Sequence, residues 1–373
     1  MPRIERFTYQ PDYAIPPGFT LTETLESLQM TQAELARRMG RPLQVVNEII
    51  KGKKAIEPET AFQLERALGV SASFWNNRES QFQDARLRIA EAAELDQHKV
   101  WLVQFPWSDM VKKGYVPPAE GVSARIQSLL RFFAVSDIDA FDGYWNNCQA
   151  SFRRSTAFDT RRGSLTAWLR QGEIKANRVD CQPYDESRFR TAVYEARGLT
   201  RELRETFMPL LVARCAAAGV AVVCVPELEG GRESGVTRWL AKDKALLQLS
   251  LRFKTNDHFW FSFFHEAGHI LLHRKREAFI DGLDANADDP AEQEADTFAQ
   301  NTLIPRAEWQ TFVDNTSFTH DSVVAFATRQ GIAPGIIAGR LMHDKLKPWN
   351  WQVGHNLQVK FAWKLPAPGR TPE

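Results

Sequence analysis

Apolar positions recur at helical spacing through most of the chain and take on strand character in one limited stretch. From Thr20 to about Arg88 the pattern predicts short amphipathic helices, broken at "MGRP", "KGKKAIEP" and "LGVS". Residues 1–19, with "PDYAIPPGF", read as an irregular arm. Residues 90–190 hold apolar helical pieces such as "ARIQSLLRFFAV" and "SLTAWLRQGEI" between polar breaks, without a readable motif. After Thr200 a helix, "RELRETFMPLLVARCAAAG", leads into the β-rich run "VAVVCVPEL", then "SGVTRWLA" and "KALLQLSLRF". The turns "EGGRES" and "KDK" between them predict a small, largely antiparallel sheet. A helix through "FFHEAGHILLHRKRE" follows, then the loop "GLDANADDP" and the helix "AEQEADTFAQNTL". Two more helices, near "DSVVAFATRQG" and "APGIIAGRLMHDK", precede an aromatic-rich tail.

Composition narrows the class. The chain has 373 residues, 43% hydrophobic and 25% charged, enough for two or three globular domains. A formal net charge of +1 gives no overall attraction to nucleic acid, so any basic surface is local. Cys148, Cys181, Cys215 and Cys224 form no CxxC pair, and they read as free thiols of a reducing compartment. "MPRIERFTYQPDY" shows no apolar signal region, and "GVAVVCV" and "FWFSFF" are too short to span a bilayer. A soluble cytoplasmic protein that does not use a membrane is expected.

The chemistry concentrates in "FFHEAGHILLH". His265 and His269 are four apart, so on a helix they share a face and can hold one ion, with Glu266 beside them to take a proton from water. This is the HExxH arrangement, in which zinc acidifies water and polarises a scissile carbonyl. His273 lies eight residues from His265, a rise of about 12 Å, too far to share that ion, and it reads as a helix-end residue near the last carbonyls. A third histidine ten residues after His265 is excluded, because that position is Lys275. The third ligand is sought in "EQEADTFAQ". There Glu292 and Asp296 share a face, Glu292 to complete the site and Asp296 to accept the other ring N–H of a liganding histidine. Glu294 is the alternative ligand, and a buried histidine pair satisfied by hydrogen bonds is the plainer reading.

"TQAELARRMGRPLQVVNEIIKGK" reads as helix–turn–helix. Thr31 caps a helix with Glu34 completing a capping box; Leu35, Ala36 and Met39 face inward; Gly40 makes the turn; and Val46 and Ile49 anchor the second helix. Residues 31–54 carry six basic residues against two acidic, which suits phosphate contact. The second helix would enter a major groove, with Gln44 and Asn47 reading adenine and Glu48 accepting from cytosine. Gln32, Arg41, Lys51 and Lys53 complete the expected DNA face. Leu43 and Ile50 fit a protein contact, such as a dimer interface, better than a DNA face. A second basic stretch, 152–178, with Phe152, Phe158 and Trp168, is explained as well by ordinary amphipathic helices.

These residues carry two resemblances. "TQAELARRMG…VVNEIIKGKKAIEPETAFQLERALGVSASFW" resembles the XRE-type helix–turn–helix of phage repressors, especially the HigA-type antitoxin variant. "DHFWFSFFHEAGHILLH" followed by "EQEADTFAQNTLIP" resembles the ImmA/IrrE metallopeptidases. Together they cover about residues 20–88 and 200–345. The second resemblance implies a thermolysin-like, gluzincin-type site with Zn2+ held by His265, His269 and Glu292, and Glu266 as base. It also implies cleavage of a regulatory protein, often a helix–turn–helix repressor, in bacterial stress, mobile-element or toxin–antitoxin circuits. The expected fold is multidomain and mainly α with a small β-sheet: an arm (1–19), a five-helix-type helix–turn–helix domain (20–89), a helical middle region (90–195), an α+β zincin-like peptidase domain (196–346) and a tail (347–373). The expected partners are a double-stranded DNA operator, bound by a homodimer, and a protein substrate of repressor or antitoxin type. That substrate would lie as an added strand along "SGVTRWL" or "KALLQLSL". His343 and His258 are oxyanion candidates that fit structural roles at least as well. The rival reading is an operator-binding regulator or antitoxin whose peptidase-like domain senses a ligand or partner. Both modules in one chain depart from the simplest family layout.

Overall fold

The computed structural model describes residues 12–151, 158–231, 233–250, 254–273, 279–282, 289–315 and 317–361. They divide into two compact units, one within Met1–Lys99 and Gly121–Ile126, the other within Val100–Glu120 and Gln127–Glu373.

Five helices make up most of the first unit: α1 (Pro17–Ser27), α2 (Gln32–Met39), α3 (Leu43–Ile50), α4 (Pro58–Leu68) and α5 (Ala72–Leu95). Helix α1 begins inside the stretch expected to be irregular, because Pro17 at its first turn costs no hydrogen bond; the arm's first eleven residues lie outside the described set. Thr31 caps α2 by accepting from the Glu34 amide at 3.2 Å. The Glu34 carboxylate does not return to complete a box but turns to Arg38, at 2.9 Å, and Arg37. Those guanidinium groups hold it below the usual carboxylate range. Gly40 ends α2 in the left-handed region, at φ 64°, which an L side chain resists. Leu35, Ala36, Met39, Val46 and Ile49 are buried around Leu64 and Trp75. Ile50 packs against the same core, so it is a packing residue rather than part of an outward face.

In the rest of the chain the helices are α6 (Lys99–Leu102), α7 (Trp107–Lys112), α8 (Val122–Phe133), α9 (Ile138–Ser151), α10 (Phe158–Asn177), α11 (Glu186–Leu199) and α12 (Arg204–Ala216). Strands β1 (Val220–Cys224), β2 (Glu233–Ala241) and β3 (Lys244–Leu249) precede α13 (Asn256–Leu272), β4 (Phe279–Gly282) and α14 (Pro290–Leu303). Then come α15 (Arg306–Asn315), α16 (His320–Gln330), α17 (Pro334–His343) and α18 (Gln352–Leu357).

The sheet order is β1-β3-β2-β4. The β2–β3 and β2–β4 pairings are antiparallel, while β1 joins β3 in parallel. The chain leaving β1 passes beyond the β3 position, and β3 returns by a hairpin into the gap, which makes the sheet mixed. This corrects the expected substrate edge. Both "SGVTRWL" and "KALLQLSL" form interior strands, and β4, unread from the sequence, pairs along residues 233–237 of β2.

Both sheet faces are covered, which explains why β1 and β3 read as nearly continuous apolar runs. On one face Val222, Leu247 and Leu249 pack with Trp260, Phe263 and Phe264 of α13. On the other lies α10, in the stretch without readable motifs. Its buried Trp168 donates its indole N–H to the Val225 carbonyl at 3.0 Å and accepts, at its backbone carbonyl, from Gln248 of β3 at 2.8 Å. Lys175 reaches the Cys224 carbonyl at 2.8 Å, and Glu173 pairs with Arg238 of β2 at 2.9 Å. Ser164 likewise donates to the Glu229 carbonyl at 2.9 Å, so several polar groups that this helix buries meet strand or loop partners.

Candidate metal centre and helix–turn–helix face

The apolar spacing of α13 buries one stripe on the sheet, and the same helix carries both histidines toward α14. Helix α14 starts abruptly: Asp289 caps it by accepting from the Ala291 amide at 3.1 Å, and Pro290 is its first residue. Glu292 therefore sits in the first turn, where the helix dipole favours a carboxylate. The two helices approach closely because residue 268 is glycine. A Cβ there would lie 3.3 Å from the Ala295 Cα and 3.1 Å from the Phe298 ring.

Three groups converge where the helices meet. The Nε2 atoms of His265 and His269 are 2.9 Å apart, and the Glu292 carboxylate lies 3.2 Å from the first and 3.6 Å from the second. All the candidate ligand atoms fall within 4.8 Å of one another. Two ligand atoms about 2.0–2.1 Å from zinc at a tetrahedral angle are separated by roughly 3.3–3.4 Å, so the trio fits a metal of that size. Both histidines are 2% exposed. Burial lowers the His269 pKa to about 4, outweighing the pull of Glu292, so its ring is neutral at pH 7. Burial also acts to raise the Glu292 pKa, but hydrogen bonds from His265 and His269 prevail and bring it down to about 2. A neutral His269 beside an ionised Glu292 is the protonation state that a divalent cation requires of these two groups.

The surrounding groups orient these rings. Asp296 Oδ1 is 2.8 Å from His265 Nδ1. Glu294, the alternative third ligand, points elsewhere: its carboxylate is 3.3 Å from His273 Nε2. His273 is the C-cap of α13, its backbone N–H bonding the His269 carbonyl, so its helix-end position is as expected. Its side chain, however, engages His269 Nδ1 at 2.9 Å rather than the last carbonyls. Glu266 is fully buried and lies against β2 at Gly235, where a Cβ would come within 2.4 Å of its Oε1. Lys275 and most of the loop "GLDANADDP" fall outside the described residues.

An apolar pocket of about 90 Å³ opens one turn N-terminal to His265, lined among others by Phe261, Leu303, Ile336, His343 and Trp349. The Phe261 ring is 6.2 Å from that of His265 and 6.5 Å from that of His343. The Asp344 hydrogen bond raises the His343 pKa. His258 also lines this pocket.

On the N-terminal unit, Leu43, Gln44, Lys51 and Lys53 are exposed, and Gln32, Asn47 and Glu48 are half-buried. Gln44 donates to Glu48 at 2.9 Å, so these two form a joint polar ridge along α3. Arg41, expected to face phosphate, reaches across to α4 and donates to Gln63 and Glu59, each at 3.0 Å. The turn after Gly40 aims it at that helix.

Comparison with known proteins finds a family pattern in each half of the chain. The pattern of the IrrE N-terminal-like domain matches residues 223–342, and that of the helix–turn–helix family matches residues 21–75. The chain joins a helix–turn–helix domain to an IrrE N-terminal-like domain. Virulence-associated protein A of Dichelobacter nodosus is 41% identical over 64 residues, 17% of this chain, and the match spans about half (52%) of that protein's length. Among solved structures, the Pseudomonas aeruginosa antitoxin HigA with the higBA promoter is 31% identical and 94% covered, over 24% of this chain, with a TM-score of 0.21. A HigA-family addiction-module antidote protein of Coxiella burnetii is 26% identical and 92% covered, over 22% of this chain, also with a TM-score of 0.21.

In the IrrE-like domain, sequence reasoning overlooked Gly235, Gly268, Phe261 and the partners of His273. The glycines carried a usable signal, since one sits inside the HExxH helix and the other inside a β-branched run, where glycine marks close approach. Phe261 carried none, because one turn before His265 it is indistinguishable from its core neighbours. No helix among the described residues is long and apolar enough to cross a membrane.

Proposed function

We propose that this protein is an operator-binding zinc endopeptidase that cleaves a regulatory protein. The convergence of His265, His269 and Glu292 beside a buried Glu266 carries this reading. A purely structural zinc site has no need of a base, and the HExxH helix supplies one. Bound zinc would supply Lewis acidity to the scissile carbonyl. Glu266 would take the proton of the attacking water and pass it to the leaving amine, and its dry position between α13 and β2 favours that transfer. Asp296 would hold the His265 ring in the tautomer whose Nε2 lone pair faces the ion. The pocket lined by Phe261, whose ring is 6.2 Å from that of His265, would take part in positioning the substrate.

The helix–turn–helix domain would read a double-stranded operator as a homodimer. Gln32, Gln44, Asn47 and Glu48 would lie at the groove, and Lys51 and Lys53 would meet phosphate. The HigA structure, with its own promoter, lends support to this half of the reading.

The test uses wild-type protein and Glu266→Gln. Zinc is quantified in each, and each is incubated with the products of neighbouring genes and with its own promoter. Stoichiometric zinc in both, with cleavage by the wild type alone, is expected. Zinc in both with promoter binding and no cleavage would replace the enzyme with a regulator whose peptidase-like domain senses a partner.

A further inference from the structure

His265 and His269 are held in different ways. The first has a carboxylate directly on its outer nitrogen, Asp296 at 2.8 Å from Nδ1. The second has a histidine there: His269 Nδ1 and His273 Nδ1 are 2.9 Å apart, and His273 Nε2 is 3.3 Å from Glu294. The His273 side chain is only 8% exposed, so its contact with His269 is shielded from water, while the Glu294 side chain at the outer end of this hydrogen-bonded chain is 65% exposed.

Hydrogen-bond polarity decides what such a chain can do. His269 presents Nε2 to the His265–Glu292 cluster, so for that lone pair to meet a cation its proton must sit on Nδ1. The Nδ1–H then needs an acceptor. His273 Nδ1 accepts only if its own proton is on Nε2, and a carboxylate facing Nε2 stabilises that tautomer because it can only accept. Glu294 is the group in that position. We infer that His273 and Glu294 form a relay that fixes the tautomer and orientation of the His269 ring, matching through one extra imidazole what Asp296 does directly for His265. Helix α14 thus uses three carboxylates on α13: Glu292 in the cluster, Asp296 behind one histidine and Glu294 behind the other. His273 and Glu294 are positioning residues, one and two residues removed from the cluster's ion site. The inference rests on the metal-binding reading of the cluster for the His269 tautomer, whereas the His273 tautomer is set by Glu294 and can be read with or without metal.

The experiment compares full-length wild type with His273→Leu, His273→Asn, Glu294→Ala and the double variant His273→Asn/Glu294→Ala. Zinc affinity is measured by competition with a chelator. Imidazole tautomers are read by long-range 15N correlation on histidine-labelled protein, with and without zinc. Losing an outer partner of a metal-bound histidine typically weakens the metal about 10- to 100-fold, and His273→Leu is expected in that range. His273→Asn places an amide oxygen near the Nδ1 position and should recover most of the loss. With asparagine in place, Glu294→Ala should have no further effect, whereas alone it should move His273 toward the Nδ1–H tautomer and weaken zinc. A role confined to packing would make asparagine no better than leucine and leave the His273 tautomer insensitive to Glu294.

Unchanged zinc affinity in His273→Leu, or an Nδ1–H His273 in the wild type, would overturn the relay while leaving the zinc reading in place. Failure of the wild type to bind zinc would instead overturn the metal reading. The tautomer response to Glu294→Ala in metal-free protein would still decide the relay.

Discussion

Gly235→Ala is the sharpest perturbation the structure offers. The added Cβ would lie 2.4 Å from Glu266 Oε1, 2.7 Å from its Cγ and 2.8 Å from its Cδ. Ordinary contact begins near 3.4 Å, so the carboxylate must withdraw by about 1 Å, the difference between 3.4 and 2.4. The obstacle is a side chain and not backbone, so the strands keep their pairing and the protein folds. A group misplaced by about 1 Å in a reacting constellation costs roughly 10²-fold in rate. Because His265, His269 and Glu292 are untouched, zinc affinity stays at the wild-type value. The assay is kcat/KM on the cleaved partner, together with zinc affinity and the thermal midpoint. The expected pattern is a fall near 10²-fold with zinc unchanged and a modest shift in midpoint. Wild-type kcat/KM in Gly235→Ala would refute the placement of Glu266 as base against β2, and loss of zinc would refute the separation of base from ligands.

Other outcomes follow from the same structure. Trp168→Ala removes a fully buried indole from the α10 face of the sheet, so a loss of about 3–5 kcal/mol is expected in denaturant unfolding. Stability of the metal-free protein should fall on acidification from about pH 6.5 toward 4, as followed by thermal melts. In that window the unfolded chain takes up a proton that His269, with its pKa lowered to about 4, refuses. Glu292, depressed to about 2, adds stability that is present above its ordinary value of 4.5 and is lost only as pH falls toward 2. Lys51→Ala/Lys53→Ala should weaken operator binding for all sequences alike and reduce the salt slope by about 2 in a retardation assay, with zinc content unaffected.

Much of this protein is legible in one dimension. Helical periodicity alone puts His265 and His269 on one face, places Leu35, Met39, Val46 and Ile49 inside the first unit, and pairs Glu292 with Asp296. Each of these is a relation within a single element, and the 3.6-residue repeat determines it. What the sequence could not decide are relations between elements. Glu294 differs from Glu292 in azimuth and by about 3 Å of rise, and the packing of α14 on α13 at Gly268 decides which of them meets the histidines. The edge expected along β2 or β3 became interior because β3 inserts beside β1 and β4 pairs beyond β2, a choice of strand order that local patterns do not encode. Helix α10 showed no motif because its task is to cover the sheet, and covering leaves only an ordinary mixture of apolar and polar positions. Arg41 counts as a basic residue in any tally, yet the turn at Gly40 aims it at Glu59 and Gln63. The distance of His273 along the helix axis argues from the sequence against a ligand role. Its contact with His269 depends on side-chain rotation at the helix end, which only packing against α14 determines.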